Sequence, residues 1–135
     1  ENFFMTYGDG LCSINLDDLI KFHKKNDKIA TVTAVHPPVR FGELEIQGNK
    51  VTKFEEKPQA SLGWINGGFF VLKSNVFDYI KNDQTLFEKE PMTQLYQKDN
   101  LNAYKHEGFW KCMDTLRDKI DLEQILKNKG PIWKK

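Results

Sequence analysis

Phe3-Phe4-Met5-Thr6-Tyr7-Gly8-Asp9-Gly10 is an apolar run that ends in a glycine-flanked aspartate. The run has the length and composition of a buried strand. Glycine on both sides of Asp9 lets backbone and ligand approach closely. Open α/β sheets bind ligands at the carboxyl ends of their strands, so a carboxylate at that point is informative. A second carboxylate, in Met113-Asp114-Thr115, follows another strand-like stretch and opens a helix pattern. The two can converge on one divalent metal only if the chain folds back on itself. Between them, Phe54-Glu55-Glu56-Lys57-Pro58 ends a third strand pattern. Its lysine is a compact point charge suited to a phosphate, and Glu56 suits sugar hydroxyls.

Working outward, helix and strand patterns alternate. Helix 16–25 has Asn15 as N-cap, Asp18 at the third helical position, an Ile14–Leu19 staple and an apolar stripe of Leu16, Leu19, Ile20 and Phe22. Residues 29–35 read as a buried strand that Pro37-Pro38 ends. Residues 41–47 and 51–56 read as a β-hairpin, with alternation at Leu44, Ile46, Val51 and Phe54. A strand over 64–72 is interrupted by Gly67-Gly68, and short helices follow near 75–81 and 91–98. Residues 101–106 and 109–113 are strand-like, and helix 116–127 offers Leu116, Ile120, Ile125 and Leu126 for burial before Gly130-Pro131 stops it. The fold expected is α/β: a mixed sheet flanked by helices, with an inserted hairpin.

At 135 residues the chain has room for one core. A net charge of +1 exerts no global pull toward nucleic acid or membrane, and no apolar run reaches transmembrane length. Cys12 and Cys112 form no CxxC pair and read as free thiols of a reducing cytoplasm, most simply as small buried hydrophobes. A strand buried at 3–7 needs neighbours on both sides. Little precedes it and position 1 is not Met, so an N-terminal part is expected to be absent.

Each motif has an ordinary explanation beside the chemical one. A tight turn accounts for Gly8-Asp9-Gly10 as well as a hard oxygen ligand for Mg²⁺ does. Asp114 could cap the last helix, or Thr115 could, with Asp118 at the third helical position and Asp114 turned to a site. Glu56-Lys57 could be a solvated pair beside a turn proline. Gly67-Gly68 after Asn66 marks either a plain bulge or a close approach of backbone to ligand, and Gly42 after Arg40-Phe41 is a candidate for the same approach. Trp64, Phe69, Phe70, Phe109 and Trp110 are core or interface by default. The three histidines show no metal-ligand spacing.

Phe4 to Gly10, Arg40-Phe41-Gly42, Phe54 to Pro58, Ile65 to Val71 and Phe109 to Asp118 together resemble the sugar-1-phosphate nucleotidylyltransferases, in family order over nearly the whole chain. Tyr7-Gly8-Asp9-Gly10 and Ile65-Asn66-Gly67-Gly68-Phe69-Phe70 point to the cytidylyl branch. The resemblance implies a partial Rossmann-like nucleotidyltransferase fold, with Asp9 and Asp114 holding Mg²⁺ and Gly8 against the nucleotide. It implies Gly42, Glu56, Lys57, Asn66 and Gly68 around glucose 1-phosphate, with Asp9, Asp114 and Lys57 as the catalytic set. The substrates implied are CTP and glucose 1-phosphate, feeding dideoxyhexoses of bacterial surface polysaccharide. No nucleic acid or membrane partner is implied, and a homo-oligomer is expected. Val39 departs from the glycine often found before Arg-Phe-Gly. The family's glycine-rich triphosphate loop is missing. Residues 1–135 therefore read as a C-terminal part, carrying the sugar-phosphate and metal side and expected to be inactive alone. The competing reading is a non-catalytic sugar-phosphate-binding or assembly module, or a thymidylyl or uridylyl relative. A glycosyltransferase is the weaker alternative, because its Asp-x-Asp signature is absent.

Overall fold

The computed structural model describes residues 1–38, 43–55 and 63–134. The elements in chain order are β1 (Asn2–Thr6), β2 (Gly10–Cys12), α1 (Leu16–Asn26), β3 (Ala30–Val35), β4 (Glu43–Gln47) and β5 (Lys50–Glu55). Then follow β6 (Ile65–Lys73), a 3₁₀ helix (Ser74–Tyr79), α2 (Glu90–Gln97), β7 (Leu101–Lys105), β8 (Trp110–Cys112) and α3 (Leu116–Lys129). The main sheet has the order β1-β6-β3-β7, antiparallel at β1/β6 and β6/β3 and parallel at β3/β7. This is the mixed α/β sheet expected. β2 pairs with β8 in a separate two-stranded ladder, and β4 with β5 in the hairpin.

The centre of the sheet is β3, Ala-Thr-Val-Thr-Ala-Val, buried along its whole length. Small and β-branched residues let both faces be covered. On one face Ala30, Val32, Phe70, Leu72, Val76 and Leu95 form a core that Phe3, Met5 and Tyr7 join from β1. On the other, Cys12, Ile14, Leu19 and Val71 pack under α1. Asn15 caps α1, its Oδ1 accepting from the N–H groups of Asp17 (3.0 Å) and Asp18 (3.2 Å). Ile14 and Leu19 share one buried cluster, as a hydrophobic staple requires.

Four expectations are corrected. β1 is the unpaired edge expected of a first strand with little before it, pairing among the described residues with β6 alone, but it is not fully buried: Phe4 points outward, 49% exposed. A run apolar on both faces looks doubly buried, yet here only alternate residues meet the core. Leu16 of α1 is also exposed. The helix expected near 75–81 is a 3₁₀ turn ending at Tyr79. In α3 the buried positions are Asp118 and Leu122, while Leu116 (72% exposed), Ile120 and Leu126 lie off that line.

The hairpin turns at Gly48, whose φ of +62° favours glycine. Leu44 stands opposite Phe54 and Ile46 opposite Val51, and all four are exposed.

Candidate active site

The bulge in β6 organises the site. Opposite β3, the register passes from Val32↔Phe70 to Ala34↔Asn66, so β6 carries extra residues at Gly67-Gly68. Both glycines answer to packing. A Cβ on Gly67 would lie 2.9 Å from the Thr33 carbonyl oxygen and from Val35 Cγ1. Gly68 has φ +78°, and a Cβ there would lie 2.6 Å from Tyr7 Cδ2. The group that approaches Gly68 closely is thus the Tyr7 ring.

Two further segments are tied to this bulge. From β1, the Tyr7 N–H donates to the Gly68 carbonyl (3.0 Å), and the Asn66 Nδ2 donates to the Tyr7 hydroxyl (2.9 Å). Asn66 Oδ1 accepts from the Gly68 N–H (2.9 Å). From β8, the Trp110 indole N–H donates to the Gly67 carbonyl (2.8 Å). Burial pushes the Tyr7 phenol up to about 12; the bond from Asn66 opposes the rise, and the negative charge of Glu88 adds to it.

The two carboxylate segments meet at the end of the β2/β8 ladder. Gly10 pairs with Cys112, and beyond it the Met113 N–H donates to the Asp9 carbonyl at 2.8 Å. Asp9 follows the carboxyl end of β1, as expected. Asp114, however, follows β8, which lies outside the four-stranded sheet, so the pair is not assembled on one sheet edge. Lys111 of β8 is held to Asp121 of α3 at 2.8 Å.

Asp114 is not the cap of α3. Thr115 is, in a capping box with Asp118. The Asp118 carboxylate accepts from the Asp114 N–H (3.2 Å), the Thr115 N–H (3.1 Å) and the Thr115 hydroxyl (2.9 Å). Asp114 Oδ2 accepts from the Cys112 thiol (3.2 Å). Gly8 is exposed, with open space where a side chain would be. Cys12 is buried, its thiol pushed up to about 11 by that burial.

Asp9, Asp114, Asn66, Gly68 and Gly8 therefore belong to three segments joined directly to one another. Gly42, Glu56, Lys57 and Val39 lie outside the described residues. Among the described residues, no group of three or more histidine, cysteine, aspartate or glutamate side chains is arranged to hold a metal. Two carboxylates suffice for Mg²⁺, which takes one or two and completes its shell with water and substrate phosphates. Sequence reasoning quoted Tyr7 only as part of a motif. The signal available was an aromatic immediately before Gly-Asp, with a double glycine elsewhere to receive its ring.

A family model described as nucleotidyl transferase matches residues 1–128. The chain belongs to the nucleotidyl transferase family. It is 50% identical over 135 residues to glucose-1-phosphate cytidylyltransferase of Salmonella typhi, a match covering 99% of this chain and 52% of that protein. It is 30% identical over 142 residues to mannose-1-phosphate guanyltransferase beta-A of Xenopus laevis, covering 98% of this chain and 39% of the other. Among nucleotidyl transferase structures, a Bacillus anthracis protein described as a glucose-1-phosphate thymidylyltransferase aligns with a TM-score of 0.65. That match has 18% identity and covers 100% of this chain and 59% of the other, which shows a shared fold. The chain thus spans about half the length of the Salmonella relative. No helix among the described residues is long and apolar enough to cross a membrane.

Proposed function

We propose that the whole protein transfers CMP from CTP to glucose 1-phosphate, giving CDP-glucose and pyrophosphate. The observation that carries the reading is the 2.8 Å hydrogen bond from Met113 to Asp9, which joins the two aspartate segments of a nucleotidyl transferase. Half of the residues are shared with the Salmonella cytidylyltransferase, and this favours CTP and glucose 1-phosphate over the guanylyl pair of the more distant relative.

A phosphate oxygen of the sugar phosphate attacks the α-phosphorus of CTP in line, and pyrophosphate leaves. The nucleophile is already an anion, so no general base is required. The work of the protein is positioning and charge neutralisation. Asp9 and Asp114 would hold Mg²⁺, which when bound offsets the charge of the reacting phosphates. Lys57 holds the sugar phosphate, Glu56 and Asn66 its hydroxyls, and the exposed Gly8 lets the nucleotide lie against the backbone. Gly42 is the remaining residue proposed for the sugar phosphate, and Gly68 serves it by accepting the Tyr7 ring and holding the Asn66 amide. In a bacterium the product would supply surface-polysaccharide synthesis in the cytoplasm.

The test is CDP-glucose formation and pyrophosphate release by the whole protein with Mg²⁺. CTP with glucose 1-phosphate is expected to exceed UTP, dTTP or GTP with the same sugar, and GTP with mannose 1-phosphate. Equal or faster turnover with any of these would overturn the assignment.

A further inference from the structure

We propose that Tyr7 is a positioning residue for the sugar phosphate and acts through Asn66. The proposal rests on the functional reading above. Tyr7 grips the Asn66-Gly67-Gly68 bulge at three points. Its N–H donates to the Gly68 carbonyl, its ring lies against the Gly68 α-carbon, and its hydroxyl accepts from Asn66 Nδ2. The Gly68 N–H can only donate, so the amide atom it meets is Oδ1 and the atom facing the Tyr7 hydroxyl is Nδ2, which donates to it. That fixes which end of the Asn66 amide faces Tyr7. The other end, Oδ1, accepts from the Gly68 N–H. The amide is tied at both ends, and its plane is set.

A carboxamide has two donor hydrogens and an oxygen with two lone pairs. Among the described residues, the bonds above use one of each, and one of each remains. Asn66 is exposed, whereas Gly68 is buried with both its main-chain polar groups engaged. The polar group that this segment presents to a ligand is therefore the Asn66 amide. One donor and one acceptor side by side on a fixed plane match adjacent sugar hydroxyls, each of which both donates and accepts.

Tyr7→Phe in the whole protein keeps the ring and the main-chain bond and removes only the hydroxyl. KM for glucose 1-phosphate is expected to rise about three- to tenfold, the worth of one neutral hydrogen bond. The kcat, the KM for CTP and the half-saturating Mg²⁺ concentration should change less than about twofold, since the hydroxyl supports only the sugar contact. In an Asn66→Ala background the same substitution should add nothing, because the two act as one unit. Two readouts do not need turnover: calorimetric binding of glucose 1-phosphate alone, and amide hydrogen exchange at Gly68, which should quicken in Tyr7→Phe. A wild-type protein that makes no CDP-glucose, yet binds glucose 1-phosphate more weakly as Tyr7→Phe, would support the role of Tyr7 and remove only the assigned reaction. Unchanged KM and binding in Tyr7→Phe, full additivity with Asn66→Ala, or equal losses for CTP and Mg²⁺ would overturn the proposal.

Discussion

Gly68→Ala is expected to cost far more than an exposed substitution, and its cost should depend on Tyr7. Alanine at φ +78° must occupy left-handed backbone, which costs about 1–2 kcal/mol. Its Cβ would stand 2.6 Å from Tyr7 Cδ2 and 3.1 Å from Cγ, well inside contact distance. The ring cannot swing aside cheaply, because its hydroxyl is bonded to Asn66 and its face is tilted against Phe70, 5.7 Å between centroids. Overpacking of this kind costs about 1–3 kcal/mol. The stiffer unfolded chain of alanine returns only about 0.4–1 kcal/mol. A net destabilisation of about 2–4 kcal/mol follows from these contributions. Urea denaturation reads it as a lower midpoint at unchanged m-value. In a Tyr7→Ala background the clash is gone and only the backbone strain, less the same return, remains, so the same change should cost about 1 kcal/mol. A cost below about 0.5 kcal/mol, the level of ordinary surface changes, or equal costs in both backgrounds would refute the reasoning.

Asp114→Asn should leave stability within about 0.5 kcal/mol, since Thr115 supplies the cap, while CDP-glucose formation by the whole protein falls about a hundredfold or more. Near-normal turnover would leave Asp114 with a structural role only. Asp118→Ala is expected to do the reverse within the same motif. It removes a buried carboxylate that accepts three hydrogen bonds and should lower stability by about 2–3 kcal/mol in urea denaturation, with Asp118→Asn recovering part of the loss. His23 is buried, with Nδ1 2.8 Å from the Thr31 hydroxyl and with Nε2 lacking a hydrogen-bond partner among the described residues. Burial, helped by the Lys73 ammonium, holds its pKa below the ordinary histidine value, against a smaller opposing pull from Asp27. Its contribution to stability is full above the unfolded value of about 6.5 and is lost as pH falls through the folded one. Denaturation midpoints should therefore fall between pH 7.5 and 5.5 by more in the wild type than in His23→Leu; equal slopes would contradict this.

What was legible in the sequence was local. Asn15, Thr115 and Asp118 announce their helices because a cap needs only residues within one turn. Gly48 announces the hairpin for the same reason. The bulge at Gly67-Gly68 was also readable, but not its occupant, since the Tyr7 ring arrives from another strand. The unpaired edge of β1 was readable from how little precedes it, but the exposure of Phe4, Leu116, Ile120 and Leu126 was not. Apolar spacing shows which residues are able to be covered and is silent on what covers them. The joining of Asp9 to Met113 depends on a pairing between distant segments that neither segment encodes alone. Gly42, Glu56 and Lys57 remain expectations of the resemblance, outside the described residues.

The ladder that joins the aspartate segments is only three residues long on each side. It closes a loop of about a hundred residues, and the chain entropy of such a closure exceeds what three strand pairs can offset by themselves. The ladder can persist only once the larger sheet has already brought its two ends together. On folding, the two aspartate segments are then joined last. On warming or in mild denaturant the ladder opens first, by a sub-global step that loosens the cluster around Cys12 and leaves the cluster of Ala30, Val32, Phe70 and Leu72 closed. The activity proposed for the whole protein should therefore vanish before the far-ultraviolet spectrum changes: the aspartate segments and the bulk of the stability belong to different cooperative units.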